Sequence, residues 1–177
     1  MLAQRLVEIA RREVGVRETG KNSSPRIVEY QKATWLQPGP WAWCAAFTCW
    51  CLREMLSTPG AKEALGLSSP SQVLRWRCRD AKAFGWLDWG RKRPHLQVLG
   101  ENEPARAGDF VVFDFSHIGI VSIGGRQGQR LETIEGNTNL KGSREGDGVY
   151  CKSRLHDPDS IKGFVRVLDP TPRVVIS

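Results

Sequence analysis

The sequence lacks any long apolar segment. No apolar run approaches the ~20 residues that a membrane-spanning helix requires, so we expect no membrane span. The first residues, from Met1 to Gly15, alternate apolar and charged positions and lack the uninterrupted apolar stretch of a secretory signal peptide. These two absences predict a protein that remains in the cytoplasm of the cell that produces it.

Internal repeats, low-complexity tracts and long linkers are also missing. A length of 177 residues suits one domain. It is also sufficient to bury a core without a disulfide or a structural metal. We therefore predict a single domain over residues 1–177.

Paired cysteine motifs are absent as well. The five cysteines are an odd number with no Cys-x-x-Cys pair, so a zinc site built from Cys49, Cys51 and Cys78 has little support. On a helix, Cys44 and Cys51 lie two turns apart, which is too far for a disulfide. Thiols stay reduced in a cytosol, and we expect Cys78 and Cys151 to be free.

Basic residues exceed acidic ones. The chain has 26 Lys and Arg against 19 Asp and Glu, a formal net charge of +7. This excess favours an anionic partner such as nucleic acid, a membrane surface or an anionic cell wall. Arg75, Arg77 and Arg79 resemble a nucleic-acid patch, but on a helix Arg77 is rotated away from the other two. We therefore interpret these arginines, like residues 91–93, as solvated surface.

The apolar pattern predicts helices first and strands afterwards. Leu2, Leu6 and Ile9 share one face of a predicted helix over residues 2–14. The other predicted helices cover residues 26–33, about 41–56 and 71–84, the last capped by Ser69 or Ser71. Short β-rich runs predict strands at residues 109–115, 118–123, 131–135, 149–152 and 162–168. Helices followed by consecutive strands indicate an α+β fold with an antiparallel sheet.

Three polar residues outside these patterns carry weaker signals. His95 and His156 lie in polar, proline-bearing surroundings and are predicted to be surface residues. Asp109 follows a glycine at the start of a predicted strand, where we expect it to stabilise a turn.

Cys44 is the candidate nucleophile. It follows a Pro/Gly loop and opens the apolar helix, where the helix dipole and free backbone N–H groups favour a thiolate. A cysteine nucleophile also needs a base, and His117, at the start of a strand, is the candidate. Glu135 and Asn137, at the end of the next strand, could accept a hydrogen bond from the second ring nitrogen. From these residues alone, an inert buried cysteine remains an open alternative.

The same residues carry a family resemblance. The pieces, in order, are Ala10–Glu18, Asn22 and Val28–Tyr30, then Trp43-Cys-Ala-Ala-Phe47, Ala107–Phe113, His117-Ile-Gly-Ile-Val121, Ile134-Glu-Gly-Asn-Thr-Asn139 and Gly146–Tyr150. Each motif is short, but in this order the chain resembles the CHAP (cysteine, histidine-dependent amidohydrolase/peptidase) domains over about residues 3–168. These domains are papain-like hydrolases that cut bacterial peptidoglycan. The resemblance implies a papain-like fold, with helices packed on the antiparallel sheet.

The resemblance implies a role for each candidate. Cys44 would be the nucleophile, and its backbone N–H would contribute to the oxyanion hole. His117 would be the general base and acid. Glu135 would orient His117 and stabilise its charge, and Asn137 would be a further polar group near the imidazole or the oxyanion.

Two aromatic residues and two departures concern the groove. Trp41 and Trp43 are predicted to bind substrate, although packing in the core is equally open for Trp43. Some family members carry an acidic calcium loop before the cysteine, whereas residues 33–43 hold no carboxylate, so we predict no calcium, no other metal and no cofactor. The proline usually found directly before Trp-Cys is displaced to Pro40, which is expected to reshape the groove wall.

The resemblance implies hydrolysis of an amide bond in peptidoglycan through an acyl-thioester intermediate. The bond is either the N-acetylmuramoyl-L-alanine linkage or one in the peptide stem or cross-bridge. An anionic envelope then explains the positive charge, and we expect no nucleic-acid partner. We predict a monomeric phage endolysin that acts on the wall after release. The alternatives are a secreted antibacterial effector with an immunity protein, a papain-like enzyme acting on proteins, or a non-catalytic basic wall- or nucleic-acid-binding module.

Overall fold

A computed structural model describes residues 1–141 and 146–169. Over these residues the fold is α+β, as predicted, with six helices and one antiparallel sheet of six strands. The helices are α1 (Leu2–Arg12), α2 (Pro25–Gln31), α3 (Cys44–Ser57), α4 (Ala61–Ala64), α5 (Pro70–Trp76) and α6 (Gly85–Arg91). The strands are β1 (Leu96–Leu99), β2 (Phe110–Phe113), β3 (His117–Ile123), β4 (Arg130–Thr138), β5 (Gly148–Leu155) and β6 (Ile161–Val167). The predicted domain also includes residues 142–145 and 170–177, which lie outside the described residues.

The first two helices form where the sequence predicts them. In α1, Leu2, Leu6 and Ala10 repeat at helical spacing and are buried in the core. In α2, the hydroxyl of Ser24 accepts a hydrogen bond from the backbone N–H of Ile27 at 3.3 Å. This contact satisfies one of the unpaired donors at the helix start.

Helix α3 is the centre of the fold. Its side chains are buried along most of its length, and it contacts α1, α2, β3 and β4. The apolar run begins at residue 41, but the helix begins at Cys44, the residue predicted to open it, because the preceding segment is held as a loop. The side-chain amide of Gln31 donates to the carbonyl oxygen of Gly39 at 2.7 Å and accepts from its N–H at 3.2 Å. The helix therefore starts with the thiol in its first turn.

The predicted helix over residues 71–84 is wrong in its second half. Ser69 and Gln72 form a capping box that starts α5, but the helix ends before Arg77, whose backbone is extended. The Arg77 guanidinium donates to the carbonyl oxygen of Ala33 at 2.5 Å and is buried, so the prediction of a solvated Arg77 is also wrong. A separate helix, α6, follows and carries two core tryptophans, Trp86 and Trp89.

The strand order across the sheet is β1-β6-β2-β3-β4-β5. The five predicted strands are confirmed as β2 to β6, with shifted boundaries. Strand β1 was not predicted; it is only four residues long and pairs with β6 at the sheet edge, where Leu96 lies opposite Val167. Strand β4 continues to Thr138, so Glu135 and Asn137 lie within it rather than at its end.

Apolar side chains cover both faces of the sheet. The main core lies between the helices and one face, which contributes Phe110, Ile118 and Ile134. A smaller cluster on the other face includes Val111 and Phe113. Among residues 1–141 and 146–169, no helix has the length and apolar character needed to cross a membrane.

The prediction of a surface position for His156 is wrong. Its side chain is fully buried, with Nε2 at 2.7 Å from the carbonyl oxygen of Glu101. The ring also lies edge-on against Phe164, at 5.3 Å between centroids. The polar residues around His156 in the sequence do not reveal this distant carbonyl. His95 is exposed, as predicted.

Asp109 stabilises the turn before β2, as predicted. Its Oδ2 accepts a hydrogen bond from the backbone N–H of Arg106 at 2.7 Å. The Arg166 guanidinium donates to both carboxylate oxygens at 2.8 Å and thereby links β2 to β6. Asp109 is therefore a structural residue.

Candidate active site

The N-terminus of α3 presents the Cys44 thiol. Backbone N–H groups in the first turn of a helix have no partner within the helix and lie at the positive end of its dipole. Cys44 is 6% exposed. Most of the surface of Cys44 is therefore covered by its neighbours.

His117 lies against this helix terminus as the first residue of β3. Its Nε2 is 2.9 Å from Oε2 of Glu135. The ring is fully buried and lies beside Phe113 and Phe115 with its plane nearly parallel to theirs, at 6.0 and 5.8 Å between centroids. Because Nε2 is engaged by Glu135 and Nδ1 is buried without a hydrogen-bond partner among the described residues, Nδ1 is the ring nitrogen available to interact with the Cys44 thiol.

Glu135 is held by two further side chains. The Arg154 guanidinium donates from Nε to Oε1 at 2.8 Å and from its Nη2 to Oε2. The Thr133 hydroxyl donates to Oε1 at 2.6 Å. The carboxylate is fully buried, and these contacts fix the orientation in which it meets His117.

A glycine makes room for this carboxylate. A Cβ at Gly119 would lie 2.7 Å from Cγ of Glu135, which is closer than real carbon atoms approach. Any larger residue at position 119 would displace the Glu135 side chain from its position beside His117. The spacing of the His-x-Gly motif therefore has a steric reason.

The pKa shifts of Cys44, His117 and Glu135 favour an ion pair between the thiol and the imidazole. Burial would raise the pKa of Cys44, but the nearby imidazolium of His117 lowers it, with help from the backbone N–H groups of Ala45 and Ile118. Burial would lower the pKa of His117, but Cys44 and then Glu135 raise it to about 9. Burial opposes ionisation of Glu135 too, yet hydrogen bonds from Arg154 and His117 lower its pKa to about 2. These directions favour a thiolate beside an imidazolium at neutral pH.

Asn137 lies in the same strand as Glu135, in the part of β4 that packs against α3. Its backbone has a φ of 55°, and the register of β4 against β5 shifts between Glu135 and Thr138. A Cβ at the intervening Gly136 would lie 2.7 Å from Cβ of Phe47. Asn137 is fully buried, and this close approach places it beside the helix that carries Cys44.

The two predicted substrate-binding tryptophans have different environments. Trp43 is completely buried, stacks near Tyr30 at 5.7 Å and donates from Nε1 to Oε1 of Glu18 at 2.9 Å. A side chain enclosed in this way has no surface for a ligand, so the prediction for Trp43 needs correction. Trp41 is partly buried and donates from Nε1 to the carbonyl oxygen of Gln37 at 3.0 Å, and its substrate-binding role stays a prediction.

Four residues that the sequence did not single out support the site. Arg154 and Thr133 hold the carboxylate, while Glu18 and Gln31 fix the segment before Cys44. Glu18 accepts the Trp43 N–H through Oε1, and its Oε2 accepts the backbone N–H of Asn22 at 2.9 Å. A usable signal existed only for Glu18, which lies in the lead-in segment of the family resemblance.

The remaining cysteines have no part in this arrangement. Cys49, Cys51 and Cys78 are buried free thiols, and Cys151 is exposed. Burial raises the pKa of Cys49 and of Cys51 well above the ordinary value, which makes them unreactive. Within residues 1–141 and 146–169, no group of three or more His, Cys, Asp or Glu side chains is arranged to hold a metal ion.

The arrangement has the parts of a nucleophilic acyl-transfer site: a thiolate, a proton carrier and a carboxylate that orients it. Comparisons of this chain with protein-family models, with curated proteins and with solved structures found no match.

Proposed function

We propose that this chain is a papain-like cysteine amidohydrolase or peptidase of the CHAP type that acts on peptidoglycan. The observation that carries the proposal is the buried hydrogen bond between His117 and Glu135, placed against the N-terminus of the helix that begins with Cys44. A structural cysteine needs neither an activated histidine nor a helix terminus. The residues of the motifs that resemble the family are the ones that meet at this point.

The proposed reaction begins with attack of the Cys44 thiolate on the carbonyl carbon of an amide. A carbon–sulfur bond forms, and the carbonyl electron pair moves to oxygen, where backbone N–H groups at the start of α3 stabilise the negative charge. The carbon–nitrogen bond then breaks as the His117 imidazolium gives its proton to the departing amine. An acyl thioester on Cys44 remains.

Hydrolysis completes the cycle. Neutral His117 accepts a proton from water, which attacks the thioester carbon. The carbon–sulfur bond breaks, the product leaves as a carboxylic acid, and the thiolate–imidazolium pair is restored. Glu135 stays ionised throughout, because its pKa is about 2, and it stabilises the imidazolium in both half-reactions.

Peptidoglycan is the proposed substrate on the basis of the family resemblance and the charge of the chain. The net charge of +7 favours approach to an anionic envelope. The scissile bond is either the N-acetylmuramoyl-L-alanine linkage or an amide of the stem or cross-bridge. We propose release from a phage-infected cell as the route by which the enzyme reaches the wall.

Replacement of the nucleophile tests this proposal. Cys44→Ala should abolish the clearing of purified cell-wall suspensions while the folded structure remains, because Ala fits the helix and removes only the sulfur. Cys151→Ser is the control variant. Because Cys151 is exposed, this variant should clear walls at the wild-type rate. A folded Cys44→Ala variant that clears walls as fast as the control would refute the mechanism. Mass spectrometry of the released muropeptides then identifies the bond that is cut.

A further inference from the structure

A cavity lies on a part of the surface that the proposed reaction does not use. It has a volume of about 610 Å³ and is bounded by Trp35, by α5 and α6, and by the segment between those two helices. Cys44, His117 and Glu135 are not among its lining residues. Helix α3 contacts the cavity wall through Cys49, whose thiol is 3.6 Å from the carbonyl oxygen of Asp80.

The lining of this cavity is strongly basic. Five of its side chains are cationic and two are anionic. The two acids are engaged elsewhere: Asp88 pairs with Arg91 at 3.0 Å, and Asp80 accepts a hydrogen bond from the backbone of Lys82 at 2.9 Å. In the described part of the chain, no salt bridge joins a lining cation to an acid. The cationic residues are Arg75, Arg77, Arg79, Lys92 and Arg93.

Arg79 is the lining cation whose charge is least compensated by the protein. Its Nε is buried without a hydrogen-bond partner among the described residues, although buried polar groups are nearly always paired. Burial and the nearby charge of Arg79 also lower the pKa of Arg77. An anion bound in the cavity would offset the repulsion between the two guanidinium groups.

An exposed aromatic ring borders the same cavity. Trp35 is 60% exposed, and its backbone N–H donates to the carbonyl oxygen of Arg79 at 3.1 Å, so two adjacent segments of the cavity wall carry the ring and the guanidinium. Trp89, which is nearly buried, forms part of the wall. An aromatic face beside a cation suits a ligand with an apolar ring face and an attached anion, such as a sugar ring.

We propose that this cavity binds a saccharide bearing a carboxylate or a phosphate group. The anion is bound by Arg79 with Arg75 or Lys92, and the sugar ring lies against Trp35. The choice of a saccharide over a nucleotide rests on the proposed function, whereas the anion site rests on the cavity alone. A bounded cavity also differs from the extended basic groove that follows a nucleic-acid strand.

Titrations followed by NMR test the site without any measurement of hydrolysis. The probes are glucose 6-phosphate, glucuronate, inorganic phosphate and neutral glucose. We expect saturable shifts of the Trp35 indole N–H and the Arg79 Nε–H with glucose 6-phosphate or glucuronate, and whichever binds more tightly identifies the anion. Phosphate alone should move Arg79 but not Trp35, and glucose should leave Arg79 unmoved.

Two variants and a control make the test specific. Arg79→Gln should weaken binding about tenfold, the usual effect of losing a charge-assisted hydrogen bond. Arg126→Gln removes the same charge from an exposed position outside the cavity and should leave binding unchanged. If Arg79→Gln impairs folding, Trp35→Ala replaces it, because Trp35 is largely exposed.

Three results would overturn the proposal. The first is equal loss of binding in the Arg79 and Arg126 variants. The second is a set of shifts that does not saturate. The third is tenfold tighter binding of a single-stranded oligonucleotide, which would assign the cavity to nucleic acid. Because binding is read directly, failure here leaves the hydrolysis proposal standing, and loss of hydrolysis in Cys44→Ala does not affect this test.

Discussion

Glu135→Gln removes the negative charge behind His117 while preserving the shape of the side chain. The pKa of His117 is about 9 against an ordinary value near 6.5, and at about 1.4 kcal/mol per pH unit this corresponds to roughly 3 kcal/mol in favour of the imidazolium. Because burial opposes the charged form, the contributions of Cys44 and Glu135 together exceed this net figure. If Glu135 supplies about half of them, the variant titrates at least about one pH unit lower.

The same substitution should affect both activity and stability. An amide in place of the orienting carboxylate costs about 10²–10⁴ in turnover in triad enzymes. It also leaves Arg154, whose side chain is 18% exposed, without its carboxylate, and breaking a buried pair costs about 3 kcal/mol. Wall clearing measures the first effect and urea denaturation the second.

A matched control separates these effects from a general loss of charge. Glu132→Gln makes the same change in β4, three residues earlier in the strand, at a position that does not contact His117. It should keep wild-type wall clearing, and its His117 should titrate as in the wild type. A Glu135→Gln variant with an unchanged His117 titration, followed by NMR of the imidazole protons, would show that Glu135 does not stabilise the imidazolium.

The remaining predictions concern pH and packing. The folded pKa of His117 is raised, so the stability from its charged form is fully present below about 6.5 and is lost as the pH rises through about 9. Turnover should fall over the upper part of this range, because the general acid disappears; a wall-clearing rate that stays flat to pH 10 would contradict this. Because the pKa of Cys44 is lowered, iodoacetamide should alkylate Cys44 at pH 6–7 faster than it alkylates free glutathione, whose thiol has an ordinary pKa near 8.5, and mass spectrometry of the labelled peptide measures this. Gly119→Ala should cost about 1–3 kcal/mol by overpacking and reduce wall clearing, because the new Cβ meets Glu135; full activity in this variant would show that the carboxylate position is not critical.

The fold class and most elements could be predicted because they depend on local patterns. The run around Cys44 is apolar on all sides, which is typical of a helix enclosed by other elements, and α3 is enclosed in this way. The short β-rich runs after residue 108 became β2 to β6. The break between α5 and α6 could not be predicted, since Arg77 leaves the helical conformation to reach the carbonyl oxygen of Ala33, a contact 44 residues away in the sequence.

The candidate site was predictable only in part, for the same reason. Cys44, His117 and Glu135 lie at helix and strand positions that chemistry can single out. Trp43 has an equally suggestive position in the sequence, but its direction depends on packing against Tyr30 and Glu18. Long-range packing, which local patterns do not specify, therefore decides which aromatic residue reaches the surface.

Arg154 shows how sheet register completes the electrostatics of the site. It lies on β5, where Tyr150 is paired with Glu135 and Lys152 with Thr133, so residues 150, 152 and 154 share the face that carries Glu135. A shift of one residue would move Arg154 to the opposite face. With the ionisation states that the pKa shifts favour, this register produces a largely buried row of alternating charges: the Cys44 thiolate, the His117 imidazolium, the Glu135 carboxylate and the Arg154 guanidinium. This row sums to zero, so each charge is offset by its neighbour in a region where an isolated charge would be strongly destabilising. Without Arg154, the row would carry a net negative charge, and the site would favour protonation of Cys44 or Glu135 instead of the ion pair.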